Sequence, residues 1–194
     1  MNLSEIRDLI RAEANIQGLG EYTNLIDNLI NNELQRITGK SKYTELLEEE
    51  TYTLAAAEEF EFTLPADFQL FNEVRYSPET VNPPWAVPYP LTQGKETLFI
   101  SEGYKTQYWF RKGNVFQVYP YSELVIGDQF ILSYYKRPEL LADADIFPVA
   151  SLANVVQLYV MARMMRLRDT KASLLMKAEA DQAYKDSRSE AAGS

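Results

Sequence analysis

The sequence of 194 residues contains no cysteine and no histidine. Without cysteine the chain can form no disulfide, thiolate metal site or thiol nucleophile. Without histidine it lacks the commonest general base, and the Ser-His-Asp and Cys-His catalytic arrangements are excluded. Only chemistry by carboxylates gathered in a cleft survives, as in glycosidases or magnesium sites. The phosphate-binding P-loop, GxGxxG and HExxH signatures are also absent. We therefore predict no catalytic residues, no metal ligands and no bound cofactor.

Positive charge is in short supply. Lysine and arginine total 19 against 28 aspartates and glutamates, which gives a formal net charge of −9. This balance argues against a broad surface that grips nucleic-acid phosphates. Tyr104–Lys112 interleaves aromatic and basic residues as single-strand nucleic-acid platforms do. Given the acidic total, an ordinary strand with a charged hairpin tip is favoured. The run Glu48-Glu49-Glu50 lacks the glycine-punctuated spacing of a calcium loop and is read as solvated charge.

The longest apolar segment is Ser151–Arg168, in which apolar residues cover nearly every side of a helical wheel. Such a helix is normally buried by its neighbours, so we predict a central helix with Ser151 as its N-cap. The length approaches that of a membrane span, but three arginines, the last of them Arg168, would each cost roughly 2.5–3.5 kcal/mol at a bilayer centre. A buried core or a subunit interface is the better interpretation, and no membrane association is predicted.

The other segments divide by their hydrophobic period. Residues 3–38 repeat apolar residues at helical spacing after an Asn2/Glu5 capping box, which predicts a helical hairpin. Residues 40–50 are mixed and charged and are interpreted as a linker. From Thr51 the period becomes two, which predicts strands, with a first hairpin across residues 52–64.

Further strands are predicted at residues 70–76, 107–110, 115–119 and 129–135, with a Lys112-Gly113-Asn114 turn between the second and third of them. Phe130, Leu132 and Tyr134 should share one face of the last strand. The proline-rich segment Pro78–Pro90 is predicted to be a long extended loop, because proline donates no backbone hydrogen bond.

Together these elements predict an α+β fold with an N-terminal helical hairpin, a central antiparallel β-meander and two C-terminal helices around a helix-rich core. We expect a single domain over residues 1–187, with helices over 3–38 and 151–187, a β-rich insertion over 51–136, and a flexible tail over 188–194. The last helix should carry one apolar stripe, formed by Ala172, Leu175, Met176, Glu179, Ala180 and Ala183.

Three short segments in this order resemble a known family. They are Leu64–Phe68 (LPADF), Val118–Pro120 (VYP) and Leu132–Pro138 (LSYYKRP), the last of which leads to the apolar helix. The order and spacing of these segments resemble the head-to-tail adaptor, or connector, proteins of tailed double-stranded DNA bacteriophages. The resemblance covers about residues 3–187.

The resemblance implies a structural virion protein without catalytic activity, assembled in the host cytoplasm and located at the head–tail interface. It implies a ring of twelve subunits beneath the portal protein, whose central hole passes the genome and whose lower face receives tail or nozzle proteins. DNA would pass without sequence-specific binding. A chain with more apolar helix surface than a small sheet can cover is also expected to bury some of it between copies.

By analogy with the family, the last helix supplies candidate portal contacts at Leu175, Met176, Glu179, Ala183 and Tyr184. Candidate contacts with tail proteins or within the ring are Trp85, Tyr89, Arg111, Lys112 and Asn114. The alternative function is a carbohydrate- or protein-binding β module without catalysis, whose stacking platforms would be Trp85, Tyr89, Trp109 and Tyr121. An enzyme acting through carboxylates alone is a distant third possibility.

Overall fold

The computed structural model describes residues 1–13, 22–56, 61–77, 89–94, 108–119, 124–166 and 169–193. The chain forms two compact units. One contains Met1–Leu46 together with Arg137–Ser194, and the other contains Leu47–Lys136. We call them the helical unit and the sheet unit. The β-rich insertion predicted over residues 51–136 thus begins earlier, at Leu47.

The helical unit contains the helices α1 (Leu3–Glu13), α2 (Thr23–Thr38), α3 (Leu152–Met165) and α4 (Thr170–Gly193). The other three helices each pack against α3. The α+β class is confirmed, with N-terminal helices, central strands and two C-terminal helices. Helix α4 reaches Gly193, so the tail predicted over residues 188–194 is helical up to that point.

The start of α1 forms the predicted capping box. The Glu5 amide donates to the Asn2 side-chain oxygen, and the Asn2 amide donates to the Glu5 carboxylate, both over 2.9 Å. These bonds satisfy backbone N–H groups that a helix start leaves without a partner. In α2 the buried stripe consists of Ile26, Ile30, Leu34 and Ile37.

Helix α3 is central, as predicted, and eight of its residues are buried: Leu152, Ala153, Val155, Val156, Gln157, Val160, Met161 and Ala162. The prediction of Ser151 as a side-chain cap is wrong. Its backbone is already helical, at φ −64° and ψ −20°, and its side chain makes no capping hydrogen bond. A capping side chain needs an extended backbone at the N-cap position, which the preceding turn denies Ser151.

The buried stripe of α4 differs from the predicted one. Ser173, Ala180 and Ser187 are buried, whereas Leu175 and Glu179 are exposed. The Ser173 hydroxyl donates to the Ala162 carbonyl of α3 over 2.7 Å, which places the two helices in close contact. Small residues on the buried face let the two helices approach more closely than leucine would allow. Leu174 and Leu175 therefore lie on the exposed side of α4.

The sheet unit contains two four-stranded sheets. The first has the order β1-β8-β3-β4 and is antiparallel, with β1 (Leu47–Thr53), β8 (Gln129–Lys136), β3 (Phe68–Ser77) and β4 (Tyr89–Pro90). The second has the order β2-β7-β6-β5, with β2 (Glu61–Thr63), β7 (Val115–Tyr119), β6 (Tyr108–Lys112) and β5 (Thr92–Gln93). In the second sheet β5 runs parallel to β6.

Two predictions about the sheet unit are wrong. The strands at residues 52–54 and 61–64 do not form a hairpin, because β1 pairs with β8 and β2 pairs with β7. Residues 47–50 are not a linker but the first half of β1. All residues of β1 but Tyr52 are exposed, so the strand shows little alternation of apolar and polar residues. Its backbone pairing with β8 holds it in the sheet. The β6–β7 hairpin is confirmed, with Gly113 at φ 63° in its turn.

Aromatic side chains from both sheets form the core of the sheet unit. The Phe62 ring of β2 lies 5.1 Å from the ring of Phe116 and 5.0 Å from that of Phe130 on β8. Phe130, Leu132 and Tyr134 are buried on one face of β8, as predicted. The predicted loop at Pro78–Pro90 lies outside the described residues, except for its end in β4.

Candidate functional site

The five predicted portal-contact residues all lie on α4, with different environments. Leu175 and Glu179 are exposed, and the Leu175 side chain leaves 61% of its surface to solvent. Met176, Ala183 and Tyr184 are half-buried. The Tyr184 hydroxyl lies 2.8 Å from the Ser41 hydroxyl and therefore helps to hold α4 within its own unit. Only the first two of these residues are exposed and therefore accessible to a partner.

The predicted tail or ring contacts belong to the sheet unit. Arg111, Lys112 and Asn114 are exposed together at the tip of the β6–β7 hairpin. The Arg111 side chain donates to the Gly113 carbonyl over 2.9 Å, which folds it over the turn. The Tyr89 backbone pairs with Tyr76. The fifth candidate, Trp85, lies outside the described residues.

The alternative β-module function required an exposed Trp109. That expectation is wrong: Trp109 is 3% exposed, and its ring centroid lies 4.4 Å from that of Phe71. A pocket of about 420 Å³ does adjoin it, lined by Asn72, Glu73, Pro90, Leu91, Gln93 and Trp109. A ring buried to this degree offers no face for stacking a sugar. Tyr121, another of the proposed platforms, lies outside the described residues.

The helical unit contains a groove of about 700 Å³ that none of the sequence predictions identified. Helices α2, α3 and α4 all contribute to its wall, with Glu33, Arg36, Tyr159, Ala162, Arg163, Arg166, Thr170, Ser173, Leu174, Lys177 and Asp181. Its size lies within the range of ligand pockets. We call it the basic groove, because it contains four cations against two carboxylates.

Glu33 anchors one side of the basic groove. Its carboxylate is only 1% exposed and is held by two arginines, Arg36 at 2.6 Å and Arg163 at 2.5 Å. Burial opposes the charge on Arg36, but the hydrogen bond to Glu33 and its negative charge outweigh that effect and raise the Arg36 pKa. One buried carboxylate is thus shared by two guanidinium groups, and half of the Arg163 side chain remains exposed at the groove.

Tyr159 contacts two charged groups of the groove, Arg36 and Asp181. The Arg36 guanidinium lies over its ring, 4.9 Å from the centroid, as in a cation–π contact. The Tyr159 hydroxyl donates to the Asp181 carboxylate of α4 over 2.5 Å. Burial, together with this hydrogen bond to a charged acceptor, raises the pKa of Tyr159 to about 12. The phenol therefore stays protonated at neutral pH and donates to Asp181.

Arg166 and Lys177 complete the groove. Both side chains are exposed, and neither forms a salt bridge with any of the residues that the structure describes. Four cations against two carboxylates leave the groove with an excess of positive charge, which suits an external anionic group. On a chain of net charge −9, the basic groove is a local concentration of the opposite sign.

One signal in the sequence could have indicated this site. Glu33 falls within the apolar stripe of α2, three residues after Ile30, where a helix facing a core should carry an apolar residue. A carboxylate at such a position needs a cationic partner. The identity of that partner was not predictable, because Arg163 is distant in the sequence.

The described part of the chain contains no preformed metal site, because no three acidic side chains lie close enough together to hold a cation. Among the described helices, none combines the length and the apolar character needed to cross a bilayer.

Comparison with known proteins gives one informative result. No curated protein matches the chain at a significant level. The family model described as SU10 adaptor protein matches residues 1–194, the whole chain. This match confirms the resemblance to phage adaptors that the LPADF, VYP and LSYYKRP segments carried. The protein, a compact helical unit with an inserted pair of small sheets, belongs to the SU10 adaptor protein family.

Proposed function

We propose that this phage adaptor is a non-catalytic structural protein that joins the portal to the tail or nozzle of the virion. In this proposal, twelve copies form a ring after synthesis in the host cytoplasm, and the genome passes through the channel of the ring. The observation that carries the proposal is the family match over all 194 residues. The net charge of −9 supports passage of DNA without retention, because few phosphate contacts would form.

The surface of the helical unit supports a role in assembly. Leu174 and Leu175 are adjacent on α4 and expose 63% and 61% of their surfaces. Full burial of a leucine side chain contributes about 1.5–3 kcal/mol. These two leucines gain that free energy only when a partner covers them. Their exposure supports an interaction surface on α4.

We assign the portal contact to the outward face of α4, centred on Leu175 and Glu179. Met176, Ala183 and Tyr184 support this face from their half-buried positions. The hairpin tip with Arg111, Lys112 and Asn114, together with Trp85 and Tyr89, remains our proposal for contacts with tail proteins or within the ring.

The test is a pull-down with the portal protein of the same phage. Deleting α4 would also remove the buried Ala180, so substitutions separate binding from folding more cleanly. The double variant Leu175→Asp/Glu179→Arg should lose portal binding at least about tenfold, since it places charges where an apolar contact and a carboxylate are expected. Glu139→Arg, at an exposed residue outside α4, is the control and should bind like the wild type.

Undiminished portal binding by the α4 variant would remove this assignment. Absence of portal and tail binding by the wild-type protein would remove the proposed function itself. If the proposal holds, native mass spectrometry of the assembled ring gives a mass of about 270 kDa, twelve times the chain mass of 22.3 kDa.

A further inference from the structure

The basic groove leaves two cations without a partner in the part of the chain that the structure describes. Arg166 at the end of α3 and Lys177 on α4 both line it, and each is exposed. The groove holds four cations against two carboxylates, and Glu33 is already shared by Arg36 and Arg163, so an excess of positive charge remains. The groove is therefore prepared for carboxylates or phosphates from another molecule.

The apolar part of the wall favours a protein over a nucleic acid. Leu174, with 63% of its surface exposed, lies in the same wall as Lys177, and Ala162 lines the groove from α3. A phosphate backbone would leave the leucine exposed to water, whereas a protein segment with carboxylates next to an apolar residue would cover both features. The occupant should thus combine acidic and apolar side chains.

The charge of the chain is distributed unevenly between its two units. Residues 47–136 contain 13 acidic and 6 basic residues, so they carry −7 of the net −9. The helical unit carries the remainder, −2, in spite of its basic groove. A second copy of this chain is consequently a strongly acidic partner for the groove.

Strand β1 has the composition that the groove requires. It begins with Leu47, 38% exposed, followed by Glu48, Glu49 and Glu50, all exposed. It lies at the edge of the first sheet in the described part of the chain, with β8 as its neighbour on one side. Glu50 forms no salt bridge with a described residue. Glu48 pairs with Lys136 at the surface, where ion pairs contribute little, whereas Glu49 pairs with the half-buried Arg75.

We propose that the basic groove of one copy receives the acidic edge strand β1 of a second copy, with Arg166 and Lys177 facing Glu48 and Glu50, which share one face of the strand. The two surfaces differ, so the contact is head-to-tail, which is the type of contact that a ring of identical copies requires. This inference rests on the self-assembly in the proposed function and identifies the contact that performs it.

Two charge reversals test the contact. The groove variant is Arg166→Glu/Lys177→Glu, and the strand variant is Glu48→Lys/Glu50→Lys. In each variant alone the facing surfaces have the same sign, so self-association should weaken at least about tenfold. In a 1:1 mixture the reversed strand meets the reversed groove and the two original surfaces meet each other, so assembly should recover. Sedimentation velocity in 150 mM NaCl, with and without the portal protein, measures the masses.

Matched controls carry the same charge changes elsewhere. Lys40→Glu/Arg137→Glu is the control for the groove variant, and Glu13→Lys/Glu139→Lys is the control for the strand variant; all four residues are exposed. Both controls should assemble like the wild type. Far-UV circular dichroism identifies any variant that fails to fold, and the neutral variant Arg166→Gln/Lys177→Gln then replaces a misfolded groove variant.

Three results would overturn the inference. They are a wild type that stays monomeric with and without portal, reversed variants that assemble normally, and a mixture of folded variants that stays dissociated. A groove variant that loses portal binding but keeps self-association would place a portal segment in the groove instead. Wild-type binding to the portal is measured separately. Reversed variants that assemble normally would remove only the β1–groove contact, whereas a wild type that stays monomeric would also remove the ring of the proposed function.

Discussion

At the scale of the residue, Glu33 is the most demanding position in the helical unit. A carboxylate that is 1% exposed is tolerated only with compensating charge, which Arg36 and Arg163 supply. The desolvation of this ion network offsets much of its attraction, so the network is better understood as a device that fixes α2 and α3 in register than as a large source of stability.

Removing that charge should be costly. We expect Glu33→Gln to lower the free energy of unfolding by about 1–3 kcal/mol, because two arginines lose a charge-assisted hydrogen bond while remaining partly exposed to water. Urea unfolding followed by far-UV circular dichroism measures the change. Glu13→Gln, an exposed carboxylate on α1, should change stability by no more than about 0.5 kcal/mol. Equal effects at the two positions would contradict this account of Glu33.

Gly113 is required by backbone conformation alone. It has φ 63° in the β6–β7 turn, and a Cβ atom built there meets nothing within 4 Å. Gly113→Ala should therefore destabilise the sheet unit by about 1–2 kcal/mol through left-handed strain without a steric clash. Gly113→Asn should lose less, since asparagine tolerates this region better. Tryptophan fluorescence during urea unfolding reports on the buried Trp109. If alanine and asparagine cost the same, strain is not the cause.

Residue-scale features were predictable where they depend on neighbours in the sequence. The Asn2/Glu5 capping box and the Lys112–Asn114 turn both formed as predicted, because each is a local hydrogen-bonding or backbone requirement. Ser151 failed as a cap because its own backbone is already helical. The pairing of Glu33 with Arg163 joins two distant helices, and no local pattern specifies it.

At the scale of the element, α4 shows how packing can override a hydrophobic stripe. The pattern predicted a buried face with Leu175 and Ala180, but only Ala180 is buried. Ser173, Ala180 and Ser187 recur every seven residues, a repeat that keeps small side chains on the buried face of α4, where Ser173 bonds to Ala162 of α3. Close helix contact thus determined the rotation of α4 and left Leu174 and Leu175 for a partner.

Enlarging a residue on the contact face should disturb this packing. Ala180, with no exposed surface, cannot accept extra volume, so Ala180→Leu should destabilise the helical unit by about 1–3 kcal/mol. Ala178→Leu makes the same chemical change two residues away on the exposed side and should stay within about 0.5 kcal/mol of the wild type. Thermal unfolding followed at 222 nm compares the two. A neutral Ala180→Leu would show that the α3–α4 contact is loosely packed.

Strand β1 illustrates the opposite case, in which an element left little trace in the sequence. Its first residues, Leu47 to Glu50, include three consecutive glutamates, so they lack the alternation of apolar and polar residues that predicts a strand. The strand exists because its backbone pairs with β8 over seven positions, from Leu47 with Tyr135 to Thr53 with Gln129. Edge strands need only one bonded neighbour, and charged side chains on such an edge discourage indiscriminate pairing.

At the scale of the whole molecule, the chain is a helical unit interrupted by a sheet unit. The two ends of the insertion are neighbours, because Leu47 pairs with Tyr135 in the antiparallel β1–β8 ladder. Paired residues in such a ladder lie about 5 Å apart. The sheet unit can therefore be inserted or removed with little change in the distance that the helical unit must span.

This arrangement makes the helical unit separable. Replacing Leu47–Lys136 by a Gly-Ser linker of about four residues, a usual length for a helix–helix connection, should leave a folded helical protein. Far-UV circular dichroism should show a helical spectrum with a cooperative thermal transition, because the four helices retain their mutual packing. A random-coil spectrum would show that the helices depend on the sheets. The excised residues 47–136 provide the reciprocal sample and should give a β spectrum.

The amino-acid sequence by itself determined the chemistry that is excluded, the α+β class, the order of helices and strands, the central position of α3 and the resemblance to phage adaptors. Each depends on composition, on a local hydrophobic period or on the order of short motifs, all of which can be read from one sequence. Only the tertiary structure decided the pairing of β1 with β8, the rotation of α4 and the convergence of Arg166 and Lys177 beside Glu33. These depend on contacts between residues far apart in the sequence. Side-chain volume and charge pairing determine which of these contacts form, and local sequence patterns do not specify them.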